Sequence, residues 1–222
     1  MVHTEVLILG CGIAGATAAL RLARNPKRKV IVVTREPDPQ ESNTRYAQGG
    51  IVARGPDDSS DSLVADILAA GAGASYPKAA RILAEDGPFL LEEILVKTAG
   101  VQFDRDAHGQ LEWGQEAAHS HRRILHVGDG SGQAIIQGLI DALKRWPNVT
   151  IMNKATAVDL ITFPHHSRDP QASYKPIECY GAYVFDQNER TVHRLVAAAT
   201  VLATGGLGRI YRNTTNPPGA RG

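Results

Sequence analysis

Residues 5–15 read EVLILGCGIAG, and the fold turns on them. Glu5-Val6-Leu7-Ile8-Leu9 is a short apolar run that stops at a glycine. A run without polar alternation is how a strand buried on both faces of a parallel sheet reads. Gly10-Cys11-Gly12-Ile13-Ala14-Gly15 follows, and then ATAALRLAR (16–24), which is rich in helix formers. KVIVVT (29–34) is a second buried run. Strand, glycine turn, helix and strand fit within about thirty residues, a compact β–α–β unit.

The spacing Gly10-x-Gly12-x-x-Gly15 matches the dinucleotide fingerprint. The first glycine permits a tight turn, the second lets backbone approach a pyrophosphate, and the third lets the helix pack on the strand. The helix N-terminus then offers N–H groups and the positive end of its dipole to that anion. A glycine triplet alone is a weak signal, and its place between strand and helix gives it weight. The ribose-binding acid of such units closes the second strand. Here Thr34-Arg35 stands in that slot and Glu36 arrives late. Arg35 suits the 2′-phosphate of NADP, and equally the slot can be remodelled for the adenosine of FAD; the turn leaves both open.

Further along, residues 36–59 hold three prolines and Gly49-Gly50 and read mostly as loop. Ser59 or Ser60 caps a helix to about Ala70, and Pro77 suits the first turn of another. A third helical stretch, interrupted near Gly87-Pro88, reaches about Ala99. These helices are expected to cover the sheet and are assigned no chemistry. Residues 104–118 read as loop. Ile135, Leu139, Leu143 and Trp146 have helical spacing behind a turn and cap at Asp129–Gly132. Strands are expected at Val149–Met152, Ala155–Ile161, Ile177–Phe185, Val192–Ala198 and Val201–Gly206, with a turn at Asp186–Glu189. The expectation is an α/β, Rossmann-like domain with a parallel sheet and a small antiparallel excursion late in the chain.

The chain has 222 residues, 43% of them apolar, which is enough for a real core. Its 24 basic and 23 acidic side chains leave a net charge of +1. That balance excludes a dedicated nucleic-acid binder, which carries a basic excess. No apolar run approaches the ~20 residues of a membrane span, and the N-terminus lacks a signal-peptide layout. Cys11 and Cys179 give neither a disulfide framework nor metal spacing, so a cytoplasmic setting is expected. Cys11 reads as a small filler residue, and Trp113 and Trp146 as packing residues. The polar ending NTTNPPGARG has no closing element, which suggests the N-terminal piece of a longer protein.

Two loops carry a family resemblance. Ser42-Asn43-Thr44-Arg45-Tyr46-Ala47-Gln48-Gly49-Gly50 resembles the flavin-contacting loop of the succinate dehydrogenase and fumarate reductase flavoprotein family, and Val201–Gly206 (VLATGG) resembles the turn that revisits FAD there. Thr214-Thr215-Asn216-Pro217 is similar to the start of a segment that continues the FAD site. Within that family, EAAHSHRRILH (116–126), Tyr46–Ile51 and Asn153–Ile161 resemble the L-aspartate oxidase branch. The likeness covers nearly the whole chain. It implies FAD as cofactor and oxidation of L-aspartate to iminoaspartate, with oxygen or fumarate as acceptor. That reaction is the first step toward quinolinate and NAD, with a functional link to quinolinate synthase. The capping and C-terminal helical domains would lie beyond residue 222, together with the arginines tied to hydride and proton transfer.

The resemblance also implies a site. FAD's pyrophosphate would lie on Gly10, Cys11, Gly12, Ile13, Ala14 and Gly15. Its adenosine would lie near Thr34-Arg35, with Thr156 and Ala157 also contacting the cofactor. Its isoalloxazine would lie against Asn43–Gly50, with Thr204, Gly205 and Gly206 closing the turn. Relatives that attach FAD covalently carry a histidine where Asn43 stands, so the expected FAD is non-covalent. Glu116 is the candidate for the substrate ammonium. His119, His121, Arg122 and Arg123 are expected to order the loop and shape its field, and for the two arginines a purely structural role is equally open. His119, His121 and His126 offer no convincing zinc spacing, so no metal is expected. The alternatives are a fumarate reductase or succinate dehydrogenase flavoprotein, a nicotinamide-binding module and an inactive truncated product.

Overall fold

The computed structural model describes residues 1–221. In chain order its principal elements are β1 (Val2–Leu9), α1 (Ile13–Ala23), β2 (Val30–Val33), β3 (Ile51–Val52), α2 (Ser60–Ala70), α3 (Pro77–Leu90), β4 (Ile124–Leu125), α4 (Ser131–Leu143), β5 (Val149–Met152), β6 (Ala155–Phe163), β7 (Glu178–Asp186) and β8 (Thr191–Leu202). A 3₁₀ turn occupies Asn43–Tyr46 and a π-helical stretch Leu91–Thr98. The chain divides into two compact units, one of Met1–Thr44 and the stretch from Leu139 onward, the other of Arg45–Gly138.

In the first unit a six-stranded sheet runs β5-β2-β1-β8-β7-β6. β5, β2, β1 and β8 are mutually parallel, while β7 and β6 join antiparallel. This is the expected α/β sheet with a late antiparallel excursion. Val6–Leu9 and all of β2 are buried, as strands between covered faces must be. One face packs Leu7, Leu9, Ile31, Val33, Val184 and Leu195 into a common core. α1 packs on β1 and β2, and Gly15, Ala16 and Ala19 are among its buried residues.

Val192–Ala198 and Val201–Leu202, read from the sequence as two strands, form one. β8 pairs antiparallel with β7 over Thr191–Val196 and parallel with β1 over Leu195–Leu202. Thr204–Gly206 lie past its end.

In the second unit α2 and α3 share the core around Leu63, Val64, Ala80 and Ala84, with Val52 of β3 packed against it, while β3 pairs with β4. The sequence reading gave residues 36–59 no strand, and two residues are too few to show alternation. It also broke the helix near Gly87-Pro88, whereas α3 continues through Pro88 to Leu90. Pro88 has no N–H and its ring crowds the carbonyl of Ala84, four residues earlier. That carbonyl is taken from outside the helix instead. Arg54 NH2 donates to it at 2.7 Å and Ser60 Oγ at 3.3 Å. The register then widens into the π stretch, closed by Ala99 N–H to Ile94 O at 2.8 Å. Among the described residues no helix is long and apolar enough to cross a membrane.

Arg54→Met removes the principal donor to a buried carbonyl. It is expected to cost about 1–3 kcal/mol, measured by urea unfolding, with α3 the first element to lose protection in hydrogen exchange.

Candidate functional site

In the first unit three stretches converge at the carboxyl ends of β1 and β8. Gly10 sits at φ +109, and a Cβ there would run into the Ala203 carbonyl. Ladder-like bonds fix the approach, with Ala203 N–H on Leu9 O at 2.8 Å and Gly10 N–H on Val33 O at 2.9 Å. Ile13 N–H, in the first turn of α1, donates to Thr44 Oγ1 at 3.0 Å. A Cβ on Gly12 would stand 3.4 Å from that oxygen and 3.7 Å from Ser42 Cβ, and one on Gly205 would stand 3.9 Å from Asn43 Nδ2. Gly10–Gly15, Ser42–Thr44 and Ala203–Gly205 thus form one neighbourhood.

Gly12 caps α1 without a side chain and Thr44 Oγ1 takes the Ile13 N–H, so the N–H groups of Ala14 and Gly15 are the first-turn donors left for an anion. Burial pushes the Cys11 thiol up to about 12, which makes it an inert filler. At the end of β2, Arg35 pairs with Glu36 through NH2 to Oε1 at 2.9 Å. Gln187 Nε2 donates to the Arg35 carbonyl at 3.0 Å and to Thr156 Oγ1 at 3.2 Å, which brings Arg35 and Thr156 together.

In the second unit the stretch 114–124 is a closed loop. Gly114 N–H donates to Ile124 O at 2.8 Å, and Arg123 N–H to Gly114 O at 3.0 Å. Arg123 is fully buried and makes five contacts. Nε and NH2 fork onto Asp58, both at 2.8 Å. NH2 also reaches Ser62 Oγ at 3.0 Å, and NH1 reaches Asp66 Oδ2 at 2.6 Å and His119 Nδ1 at 3.2 Å. A guanidinium has five N–H groups, so every donor is used inside the unit. Because Arg123 can only donate, Nδ1 of His119 accepts.

Asp66 also accepts from Ser120 N–H and Oγ, each at 2.9 Å. Those bonds, the backbone one foremost, with Arg123 adding to them, hold its carboxyl down from 3.8 to about 2. The turn is tightened by His119 N–H on Glu116 O at 3.0 Å and by Gln115 Nε2 on His119 O at 2.7 Å. Glu116 itself is exposed, and its Oε1 occupies the place a Cβ on Gly49 would take. Arg122 is exposed and His121 half-buried. His126 Nδ1 pairs with Asp104 Oδ2 at 2.9 Å. Gly132 N–H, behind the Asp129 turn, reaches Ala47 O at 2.9 Å.

A family model described as an FAD binding domain matches residues 5–222. The chain belongs to that family. The neighbourhood of the glycine turn fits FAD: a glycine turn opening a helix at the carboxyl end of β1, first-turn donors without a side-chain N-cap, and the buried Ser42 Oγ, which has no partner among the described residues. FAD carries no 2′-phosphate, so the NADP reading of Arg35 falls. The chain is 38% identical over 98% of its length to L-aspartate oxidase 1 of Ralstonia nicotianae, and 41% identical over 99% to L-aspartate oxidase of Halobacterium salinarum. It covers 39% and 41% of those proteins, about two-fifths of each. Its backbone matches a mutant E. coli quinol fumarate reductase with a TM-score of 0.87 at 24% identity, covering 99% of this chain and 36% of that one, a likeness of fold.

Sequence reasoning missed Asp58, Ser62 and Asp66, having assigned the helices after residue 60 no chemistry. Ser62 and Asp66, four apart on α2, share one helix face that was readable, and Asp58 joins them from the segment just before the helix. Among the described residues, the carboxylate and histidine atoms grouped closely enough for a metal are Asp159, His165 and His166, and Asp186, Glu189 and His193. The first group joins mid-β6 to the segment that follows it and the second lies at the β7–β8 turn; neither includes His119 or His121.

Asp66 has a lowered folded pKa, so its stabilisation is complete above 3.8 and fades as pH falls toward 2. Melting temperatures of the wild type and Asp66→Asn are expected to differ most at pH 5 and to converge toward pH 2.

Proposed function

We propose that residues 1–222 are the N-terminal, FAD-binding part of an L-aspartate oxidase, continued by capping and C-terminal helical domains. The observation that carries this reading is the Glu116 carboxylate set against Gly49, in the loop that resembles the flavin-contacting segment. L-Aspartate has two carboxylates and an ammonium, and an opposite charge held at the reacting end favours it over a dicarboxylate lacking the amine. FAD, when bound, would supply the acceptor for a hydride from the α-carbon, with oxygen or fumarate as the final acceptor. The product, iminoaspartate, would pass toward quinolinate and NAD, with quinolinate synthase as the functional neighbour, in the cytoplasm.

The chain's own residues divide the work. The Gly10–Gly15 turn holds the pyrophosphate, with the Ala14 and Gly15 N–H groups as its first-turn donors, and Cys11 fills space beneath them. Thr34, Arg35, Thr156 and Ala157 serve the adenosine side. Asn43, Thr44, Arg45, Tyr46, Ala47, Gln48, Gly49 and Gly50 line the isoalloxazine side, as do Thr204, Gly205 and Gly206. The Asn43 amide cannot form the covalent link a histidine makes, so FAD is held non-covalently. Glu116 holds the ammonium, Arg123 anchors the loop, and His119, His121 and Arg122 set its field.

The test uses the full-length, FAD-loaded polypeptide without oxygen. L-Aspartate is expected to bleach the flavin absorbance and succinate to leave it unchanged, while Glu116→Gln weakens the aspartate response about ten- to a hundredfold, as loss of a charged hydrogen bond would. Bleaching by succinate alone would move the protein to the dicarboxylate dehydrogenases.

A further inference from the structure

Gly49 and Gly50 are neighbours with different reasons to be glycine. Gly50 lies at φ +93, and a Cβ there would strike the Leu125 carbonyl and come within 2.7 Å of Ile124 Cγ2. Both belong to β4, so Gly50 is required by the β3–β4 pair itself. Gly49 does not use the left-handed region. The nearest atoms to a Cβ there all belong to the Glu116 carboxylate, Oε1 first, then Cδ at 3.5 Å and Oε2 at 3.9 Å. The obstacle to a side chain at position 49 is therefore the mobile end of another side chain, which can rotate away at little cost to the fold.

We propose that Gly49 is a specificity-determining position: by carrying no side chain it admits the Glu116 carboxylate to the flavin-side loop, and so sets the preference for an ammonium-bearing dicarboxylate over one without the amine. The inference rests on the role proposed for Glu116 and names what holds that carboxylate in place.

The backbone of Glu116 cannot follow a displaced side chain. Its carbonyl is bonded to His119 N–H, Ser120 is held by Asp66, and the loop closes at Gly114 and Ile124 over the buried Arg123. With the loop fixed from beneath, a methyl group at position 49 acts on the side-chain rotamer of Glu116 and moves its charge off the site. Gly49 is a positioning residue, acting through Glu116 and touching the preference without entering the chemistry.

The experiment compares the full-length, FAD-loaded wild type, Gly49→Ala, Glu116→Gln and the double variant. The readouts are KM and kcat for L-aspartate, the inhibition constant of succinate, flavin absorbance and melting temperature. Gly49→Ala is expected to keep FAD and melting temperature, to raise KM for L-aspartate ~10- to 100-fold with a smaller change in kcat, and to leave succinate binding equal or tighter. The double variant is expected to be no worse than Glu116→Gln alone, because both changes remove one interaction. An unchanged KM in Gly49→Ala, an equal loss for aspartate and succinate, full additivity, or loss of FAD would overturn the proposal while Glu116→Gln still shifts the preference. If Glu116→Gln leaves the preference unchanged, the reading of Glu116 fails first and this inference with it.

Discussion

A guanidinium taken out of water must have each N–H answered, because an unpaired buried donor on a charged group costs several kcal/mol. Arg123 meets that demand with Asp58, Asp66, Ser62 and His119. These acceptors come from the approach to α2, from α2 and from the loop that carries Glu116. They converge only if α2 is capped where it is and the loop is closed where it is. A network of this kind stabilises little in sum against a well-packed apolar alternative, yet it admits very few geometries. That narrowness is its use here, since it fixes a solvent-exposed loop to a helix by its underside.

A different constraint governs the sheet. β8 is twelve residues long because it serves two partners, antiparallel to β7 in its first half and parallel to β1 in its second. The parallel register carries β8 to the level of Leu9, and the chain leaves it directly against Gly10, where only a residue without a Cβ can stand. The glycine motif at the N-terminus is thus enforced by residues some 190 positions later as much as by a phosphate. The Ala203–Gly206 turn reaches the cofactor neighbourhood by sheet register, and its own glycines then leave backbone accessible.

The parts of this architecture that were legible from sequence are those in which local pattern and tertiary demand agree. Val6–Leu9 and Val30–Val33 are apolar because they are covered on both faces, and the turn between them is glycine-rich because helix, strand and ligand crowd it. Pro88 misled because a proline normally ends a helix, and nothing local announces that Arg54, thirty-four residues earlier, stands ready for the freed carbonyl. β8 misled because Thr200 and the alanines before it weaken the apolar signal midway along a single strand. Arg123 was left between two readings because a basic pair in a polar loop does not reveal which member turns inward. The answer lay in Asp58 before α2 and in Ser62 and Asp66 on it, which mean little until an arginine faces them.

The proposed ammonium site illustrates how weak a single charge is until its surroundings act on it. At 4 Å an ion pair is worth about 1 kcal/mol in bulk water and about 4 kcal/mol at an effective dielectric near 20. Glu116 is exposed in residues 1–221, which by itself places it at the weak end of that range. Two features raise its effect. The carboxylate is seated against backbone at Gly49, which removes solvent from one side, and its loop is rigid from beneath, so little ordering entropy is lost when an ammonium arrives. Repulsion works in the same direction: a dicarboxylate without the amine would place its own negative charge near Glu116 with nothing to offset it. Selectivity of this kind needs no pocket shaped to the amine, only a carboxylate given room to point at it, and the residue proposed to give that room is a glycine.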